Sequence, residues 1–374
     1  MFLKAVANFV RKFFFLINIL FALYSLLVYQ LVFSANIQHW IGGFLMLSFP
    51  LVLLGNLFFV IFWTLGRSFK ALLSLALLLM TWSIKDRTLK LGLKDRAEGR
   101  ADVSLLSYNI MYADYGNYLG HAPGKAAPAR NDDEAAKGIS ETAVSFQADI
   151  KCFQEFYNDE KIFEFDLIRR TAVKNPYYVY MHSEKGNDRG KGAIGLATFS
   201  RYPIIRKEEM YWPTNNNGLL ATDIVVNGDT IRVINFQLKS MGIRVNKMFD
   251  GSHKLNKKET RTVLSQLKNG FSERGNEVGI LETWISRSPY PVIVAGDLNE
   301  LPYGYAYGKL RRLLDNSFEE AGRGFGFTYH KILSFLRIDN QFYDPKRFKV
   351  VRFNTLHEFK YSDHYPIYGE YEIR

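Results

Sequence analysis

The sequence lacks the means for an internal disulfide, because its 374 residues include a single cysteine, Cys152. Cysteine usage therefore leaves the cellular compartment open. Internal repeats and low-complexity tracts are also missing, which excludes solenoid and compositionally disordered classes. Acidic residues are scarce in one region only. Residues 1–100 contain three Asp and Glu and eleven Lys and Arg, whereas the other 274 residues contain 34 acidic and 37 basic residues. Most of the formal net charge of +11 thus lies near the N-terminus and does not indicate nucleic-acid binding.

Charged side chains are absent from two long stretches, residues 13–33 and 41–65. At about 1.5 Å per helical residue, each stretch is long enough to cross the ~30 Å hydrocarbon core of a bilayer. A third apolar stretch, at about 68–84, is short, and a buried helix of a soluble protein is its alternative interpretation. We therefore predict an N-terminal membrane anchor in residues 1–84, with two or three transmembrane helices.

Basic residues beside these stretches predict the orientation of the anchor. They are Lys4, Arg11 and Lys12 before the first stretch, and Arg67 and Lys70 after the second. The positive-inside rule places both groups in the cytoplasm, so a third span would put the rest of the chain outside. The basic segment 85–100, interpreted as a linker, favours the opposite side. We expect a multi-pass protein of a bacterial inner membrane, with the domain of residues 101–374 outside the cytoplasm.

A short polar segment after an apolar strand is the most informative feature of this second domain. Residues 291–295 are apolar and rich in β-branched side chains, which predicts a buried strand, and Gly296-Asp297-Leu298-Asn299 follows directly. A carboxylate that can take a proton, beside an amide that can hold a phosphate oxygen, suits phosphate-ester hydrolysis. Gly, Asp and Asn are also common turn residues, so an ordinary turn is the alternative.

Four other apolar runs are flanked by acidic, amide or imidazole groups in the same manner. They are Asn109 after residues 103–108, Gln154-Glu155 after 148–153, Asp339-Asn340 after 336–338, and Asp363-His364 before 365–368. Catalytic groups concentrate on loops that a rigid scaffold positions. Five such coincidences are unusual in an inert domain, so we predict that the five segments form one site.

In this order the segments resemble those of the endonuclease/exonuclease/phosphatase superfamily, which has the deoxyribonuclease I-like fold. The motifs that carry the resemblance are Leu106-Ser107-Tyr108-Asn109, Gln154-Glu155, Gly296-Asp297-Leu298-Asn299 and Ser362-Asp363-His364. Each motif is short, and the resemblance covers residues 101–374. It implies an α/β (α+β) domain, a four-layer αββα sandwich of two mixed β-sheets, here preceded by the transmembrane helices.

The resemblance also implies catalytic roles. Asp297 would activate or orient the attacking water, and Asn299 would contact the phosphate. His364 would contact the scissile phosphate or assist proton transfer, since histidine changes charge near neutral pH. Asp339 would be the carboxylate that fixes the tautomer of His364 and favours its imidazolium form.

A metal ion is implied as well. Glu155 would be the principal ligand of Mg²⁺, because hard cations prefer carboxylate oxygens. Asp363 would be a second metal-linked carboxylate, and Asn109 would support the metal or the phosphate through its amide. Mn²⁺ could replace Mg²⁺. The alternative interpretation of Glu155 is an exposed carboxylate at the end of a strand, and that of Asn109 is a turn residue.

One position departs from the commonest family pattern. Many members have a histidine where this chain has Gln237, which can donate a hydrogen bond to phosphate but cannot act as a general acid. A mechanism with two catalytic histidines is therefore in doubt. Lys239, two residues later, is a candidate phosphate contact, with a solvated lysine at a strand end as the alternative.

Together these observations predict a membrane-anchored, Mg²⁺-dependent phosphoesterase that hydrolyses a phosphodiester or phosphomonoester by metal-assisted attack of water. The expected partners are the membrane and a phospholipid-like or nucleic-acid substrate, and no protein partner is expected. A nuclease acting on DNA or RNA outside the cytoplasm is one alternative. A non-catalytic membrane scaffold that retains the fold is another.

Overall fold

The computed structural model describes most of the chain, although residues 92–99 of the expected linker lie outside the described part. The described residues are 2–91, 100–115, 132–183, 194–213, 217–240, 257–330 and 336–374. Within them the α-helices are α1 Phe2–Ser34, α2 Trp40–Leu47, α3 Phe49–Leu65, α4 Ala71–Met80, α5 Asp132–Ser145, α6 Leu167–Ala172, α7 Lys257–Ser286, α8 Tyr305–Arg311 and α9 Ser317–Ala321. Short 3₁₀ helices cover Thr81–Arg87, Met111–Asp114 and Phe163–Phe165.

Twelve strands lie in the described part of the chain. They are β1 Val103–Asn109, β2 Ile150–Tyr157, β3 Tyr177–Ser183, β4 Ile194–Ser200, β5 Ile204–Tyr211, β6 Gly218–Val226, β7 Asp229–Gln237, β8 Val292–Asp297, β9 Asp315–Asn316, β10 Asp339–Tyr343, β11 Phe348–Thr355 and β12 Ile367–Ile373.

The N-terminal helices differ from the expected two or three continuous spans. Of the described helices, α1 alone is unbroken and apolar over a length that could cross a membrane, at Asn8–Ser34. The second predicted stretch is divided at Ser48 into α2 and α3, which bend by 42°. Pro50 lies in the first turn of α3, where its missing N–H is tolerated, so the helix restarts there. The pair could serve as a second crossing only if it acted as one span.

The third predicted stretch, at about 68–84, is also not one α-helix. Helix α4 covers only Ala71–Met80 and continues as the 3₁₀ helix Thr81–Arg87. Ten residues at about 1.5 Å each give roughly 15 Å, about half of the hydrocarbon thickness. The expectation of a third transmembrane α-helix is therefore corrected to a short helix with a 3₁₀ extension.

Neutral polar side chains join the N-terminal helices to one another. Trp63 on α3 donates its indole N–H to Asn18 on α1 at 2.9 Å, and the Asn18 amide donates to Ser74 on α4 at 2.8 Å. A second link runs from the Asn56 amide on α3 to the Ser25 hydroxyl on α1, at 2.9 Å. Hydrogen bonds of this kind hold apolar helices together where hydrophobic burial does not discriminate between packings. We call Asn18, Trp63 and Ser74 the helix cluster.

The remaining chain forms two six-stranded sheets. The first has the order β11-β12-β1-β2-β4-β3 and the second the order β5-β6-β7-β8-β10-β9. Each contains one parallel pair, β1 with β2 and β7 with β8, among antiparallel neighbours. Both sheets are therefore mixed, as the sequence predicted.

Strand residues point alternately to the two faces of each sheet, and both faces are buried. Leu105 and Ile293 pack between the two sheets, whereas Leu106 packs outward with Ile139 of α5, and Val294 packs outward against α7. Strands covered on both sides read as continuous apolar runs, which explains why the sequence lacks strict alternation there. The four-layer αββα sandwich predicted from the sequence is confirmed.

The strand register brings the polar tips to one edge of the sandwich. In the first sheet Asn109 lies opposite Gln154, and in the second sheet Asp297 lies opposite Gln237 on one side and Asp339 on the other. This edge, at the C-terminal ends of the two parallel pairs, carries the predicted catalytic residues, and we call it the catalytic edge.

Candidate active site

The tip of β8 is shaped by a close approach of two backbones. A Cβ atom on Gly296 would lie 1.9 Å from the carbonyl oxygen of Phe236 on β7, so glycine is required for the strands to meet. Two residues on, Asn299 adopts a left-handed backbone with φ of +49°. Its N–H donates to Asp297 Oδ1 at 2.7 Å and its side-chain amide to Asp297 Oδ2 at 2.9 Å. The turn therefore fixes the Asp297 carboxylate.

Two amide side chains bridge the carboxylates of Glu155 and Asp297. Asn109 Nδ2 lies 3.2 Å from Glu155 Oε1 and 3.3 Å from Asp297 Oδ2. Gln237 Nε2 lies 2.8 Å from the same Glu155 oxygen and 3.4 Å from the same Asp297 oxygen. Asn109 Oδ1 is turned away to accept from the N–H of Met111. Both amides thus act as donors that hold two acids from different sheets together.

Glu155 sits in a local conformation that aims it into this cluster. Its backbone is left-handed, with φ of +50°, at the irregularity where the β2–β4 register shifts. Burial raises the pKa of the carboxyl, and the hydrogen bond from Gln237 opposes that rise. The ring of Tyr112, from the turn after β1, adjoins Glu155, and burial together with the Glu155 charge raises the pKa of the phenol.

His364 and Asp339 form a buried pair beside the cluster. His364 Nδ1 lies 2.8 Å from Asp339 Oδ2, and Tyr329 packs edge-on against the imidazole with centroids 5.1 Å apart. Thr328 Oγ1 accepts from the Asp339 N–H, and its carbonyl accepts from the N–H of Tyr365, so one buried residue ties the two segments together. Burial alone would lower the pKa of His364, but Asp339 and the nearby acids raise it to about 10.

Asp297 lies between the two groups of residues. Burial, reinforced by the charge of Asp339 and opposed by that of His364, raises the pKa of Asp297 to about 7. Ligand atoms of Asp297, Asp339 and His364 lie within 4.8 Å of one another, a spacing that could hold a metal ion. The Nδ1 atom of His364 already faces Asp339, however, and an imidazolium would repel a cation. Oxygen donors are therefore the better candidate ligands.

Two predicted site residues lie at the margin. Asp363 is half-buried, and its charge contributes to raising the pKa of Glu155. The ammonium of Lys239 lies 3.1 Å from Glu273 of α7, and the Lys239 N–H donates to Glu277 at 2.7 Å. The ammonium and the backbone N–H of Lys239 therefore both contact α7, whereas the sequence predicted a contact with phosphate.

Sequence reasoning missed a buried charge beneath the site. Arg274 on α7 is 1% exposed, and Glu300, Glu277 and Asp297 are the acids whose charges act on it. Its Nη1 donates to the carbonyl of Lys239 at 3.2 Å. The sequence does indicate that Arg274 is buried, because residue 274 lies at helical spacing from the apolar residues 271, 278 and 281. Tyr112 and Tyr329 were also missed, and no local pattern marks them.

The sequence and the structure were compared with known proteins. The endonuclease/exonuclease/phosphatase family matches residues 106–364, and a family described as a domain of unknown function matches residues 11–88. No curated protein matches the sequence.

Similar solved structures include the human nocturnin catalytic domain, at TM-score 0.50 and 16% identity over 75% of this chain and 97% of that one. An endonuclease/exonuclease/phosphatase from Beutenbergia cavernae aligns at TM-score 0.49 and 17% identity, over 73% and 72% of the two chains. Another from Bacteroides vulgatus aligns at 0.49 and 14%, over 73% and 99%. At these identities the nocturnin likeness concerns the fold alone.

Proposed function

Since this chain belongs to the endonuclease/exonuclease/phosphatase family and is a hydrolase of phosphate esters, we propose that it is a membrane-anchored enzyme that cleaves a phosphodiester or phosphomonoester with water. The observation that carries the proposal is a pair of acids, half-buried Glu155 and buried Asp297, that share amide donors from Asn109 and Gln237. Burying carboxylates together opposes folding, so such a cluster is expected where chemistry requires it.

A divalent metal fits the donor set. Glu155, Asp297 and Asp363 offer carboxylate oxygens, which hard cations prefer, and Mg²⁺ usually takes one or two of them together with waters. We assign Glu155 and Asp363 to Mg²⁺, with Mn²⁺ as a substitute. When bound, the ion would neutralise charge on the phosphoryl oxygens and make a bound water more acidic. It would also offset the burial that now raises the pKa of Glu155.

Asp297 is assigned to proton acceptance from the attacking water. A pKa of about 7 suits a base that must alternate between protonated and ionised forms near neutral pH. Asn299 supports this role, because its amide donates to both Asp297 Oδ2 and the Leu238 carbonyl. Both amide hydrogens are thereby used, which favours a positioning role for Asn299 over the phosphate contact predicted from the sequence.

His364 is assigned to the phosphoryl group. With Nδ1 held by Asp339 and a pKa of about 10, the imidazole stays protonated at neutral pH and has Nε2–H to donate. A fixed positive donor stabilises charge that develops on phosphoryl or leaving-group oxygens. This arrangement also accounts for Gln237, since a single charged imidazole supplies the donor that a second histidine would otherwise provide.

The anchor, residues 1–84, and the linker, residues 85–100, would hold the catalytic domain of residues 101–374 at a membrane. We propose several crossings and a domain outside the cytoplasm, which requires that α4 and its 3₁₀ extension, Ala71–Arg87, together make the third crossing. Arg11 near the start of α1 donates to the carbonyl of Gly66 just after α3, which supports a shared cytoplasmic side for the two basic groups.

The test uses the full chain in detergent with Mg²⁺ and three substrates, namely bis-p-nitrophenyl phosphate, plasmid DNA and phospholipid. Glu155→Ala is expected to lower turnover at least about 100-fold. Glu160→Gln, which alters an exposed acid on a loop after β2, is the matched control and should leave the rate unchanged.

Absence of turnover with all three substrates, or equal rates for Glu155→Ala and the unaltered protein, would sink the proposal and favour a non-catalytic scaffold. Turnover of DNA alone, with binding that weakens steeply as salt rises, would favour the nuclease alternative.

A further inference from the structure

The loop that follows the catalytic tip packs directly on the anchor. Leu301 and Tyr303, two and four residues after Asn299, lie in one hydrophobic cluster with Phe49 and other anchor residues. The Tyr303 ring is 4.6 Å from that of Phe49, centroid to centroid, and its hydroxyl donates to Thr88 Oγ1 at 2.8 Å. The catalytic edge of the sandwich therefore faces the anchor.

Chain length limits how far the site can lie from the membrane helices. Four residues span at most about 14 Å between Cα atoms when fully extended. Asn299 is thus within about 14 Å of Tyr303, which contacts the first residue of α3, Phe49. Lipid headgroups occupy roughly 5–8 Å on each side of the hydrocarbon core. A membrane surface at the start of α3 would therefore place the site within reach of that layer.

Two further contacts hold the domain at this distance from the anchor. Arg337, two residues before Asp339, is 3% exposed and donates Nη2 to the carbonyl of Arg87 at 2.9 Å. On the other side of the site, Phe271 of α7 packs edge-on against Phe44 of α2, with centroids 5.4 Å apart. Contacts on both sides prevent the catalytic edge from turning away from the anchor.

A segment with three aromatic side chains connects the linker to the site. Lys90 and Gly324 exchange backbone hydrogen bonds of 2.9 Å in both directions. Phe325 follows, is 48% exposed and stacks on Phe327 at 5.1 Å. Tyr329, two residues on, packs against the catalytic imidazole. An exposed phenylalanine thus lies on the segment between the linker and the active site.

Residues typical of a membrane interface also follow α4. Trp82, after α4, is 67% exposed, and the ammonium of Lys85 lies 5.4 Å from its ring centroid. Exposed tryptophan is enriched at the headgroup level, where lysine is attracted to anionic lipids.

We propose that the substrate is the phosphate ester of an amphiphile embedded in the membrane that holds the anchor, and that its headgroup enters past Phe325. This inference rests on the function proposed above and specifies its substrate class. A water-soluble ester reaches the same catalytic groups without the contact to Phe325.

The experiment compares two substrates with the full chain in nanodiscs. One is bis-p-nitrophenyl phosphate, and the other is a panel of long-chain phosphatidylglycerol, phosphatidylethanolamine and phosphatidic acid in the same discs, with products measured by mass spectrometry. Phe325→Asp should lower lipid turnover at least tenfold and leave turnover of the soluble ester unchanged. Phe325→Leu should retain lipid turnover. Phe163→Asp, at an exposed phenylalanine in the 3₁₀ helix Phe163–Phe165, is the matched control and should change neither rate.

The possible outcomes separate this inference from the proposed function. Turnover of the soluble ester without turnover of any lipid would overturn the inference and leave the phosphoesterase function standing. An equal loss on both substrates in Phe325→Asp would overturn it too, because the residue would then act on the catalytic groups themselves. Absence of all turnover would overturn the proposed function and this inference with it.

Discussion

Two buried polar clusters in this chain look alike by exposure and differ in chemistry. The helix cluster joins Asn18, Trp63 and Ser74 across three N-terminal helices, and all its groups are neutral. The cluster at the catalytic edge is as deeply buried, with Asn109 and Asp297 each 1% exposed, but it brings together acids and an imidazole. Burial depth therefore does not identify a functional site.

The difference lies in what burial does to each set of groups. Neutral amides and hydroxyls that find partners cost little to bury and add specificity to helix packing. Burial of the carboxylates raises the pKa values of Asp297 and Glu155, and the charge of Asp339 reinforces the rise for Asp297. We expect the first cluster to serve stability and the second to oppose stability in favour of catalysis.

The largest expected effect that tests this contrast is on activity. Asp297→Asn keeps the shape of the side chain but removes the proton acceptor, so turnover of bis-p-nitrophenyl phosphate should fall by about 10²–10⁴-fold. The rate is measured on the full chain in detergent with Mg²⁺. A variant that retains more than a tenth of the activity would mean that Asp297 is not the base.

The same variant should show the opposite effect on stability, provided that metal is removed with a chelator. A carboxyl whose folded pKa of about 7 exceeds its unfolded value of about 3.8 binds protons more tightly when folded, so stability falls as pH rises through that window. Asp297→Asn removes this pH-dependent loss of stability, because the asparagine side chain does not ionise. Its melting temperature should equal that of the unaltered protein at pH 4 and exceed it by at least about 3 °C at pH 8.

Thermal unfolding followed by intrinsic fluorescence measures the difference. Mg²⁺ should stabilise the unaltered protein more than Asp297→Asn, because the variant lacks a negative charge at the site. A melting temperature of Asp297→Asn at or below that of the unaltered protein at pH 8 would contradict the idea that the catalytic cluster opposes folding.

The smallest expected effect concerns the helix cluster. Asn18→Leu removes both hydrogen bonds of the amide, and such bonds between membrane helices contribute about 0.6 kcal/mol each. We expect a melting temperature lowered by a few degrees and turnover within twofold of the unaltered protein. A loss of activity comparable to that of Asp297→Asn would show that the two clusters are not separate in function.

The sequence allowed the fold and the candidate site to be predicted where local pattern and strand register coincide. Asn109, Glu155 and Asp297 each end a short apolar run, and parallel neighbours bring such ends together without further information. The break at Ser48 could have been anticipated from Pro50, which was overlooked because a run without charges was read as one helix.

What could not be predicted depends on distant packing. Lys239 pairs with Glu273, which lies 34 residues later on a helix whose placement over β7 no local pattern specifies. Arg274 is buried because it lies on the face of α7 that packs on the sheet and the site. Its spacing from apolar residues of the helix predicts that it is buried, but it does not predict which acids surround it. The contacts between the domain and the anchor are likewise tertiary, since they link residues more than 200 positions apart.

The packing of Tyr303 on Phe49 has a consequence for how the protein is made. The anchor leaves the ribosome first, and more than 200 residues must follow before Tyr303 can reach it. Before the two parts dock, or after proteolytic separation of them, the catalytic domain would expose the apolar side chains of Leu301, Tyr303 and Phe271 to water. An exposed apolar surface of this kind favours aggregation. With the proposed membrane anchor, biosynthesis of the enzyme would be coupled to its delivery to the membrane, and a domain produced alone would be prone to aggregate.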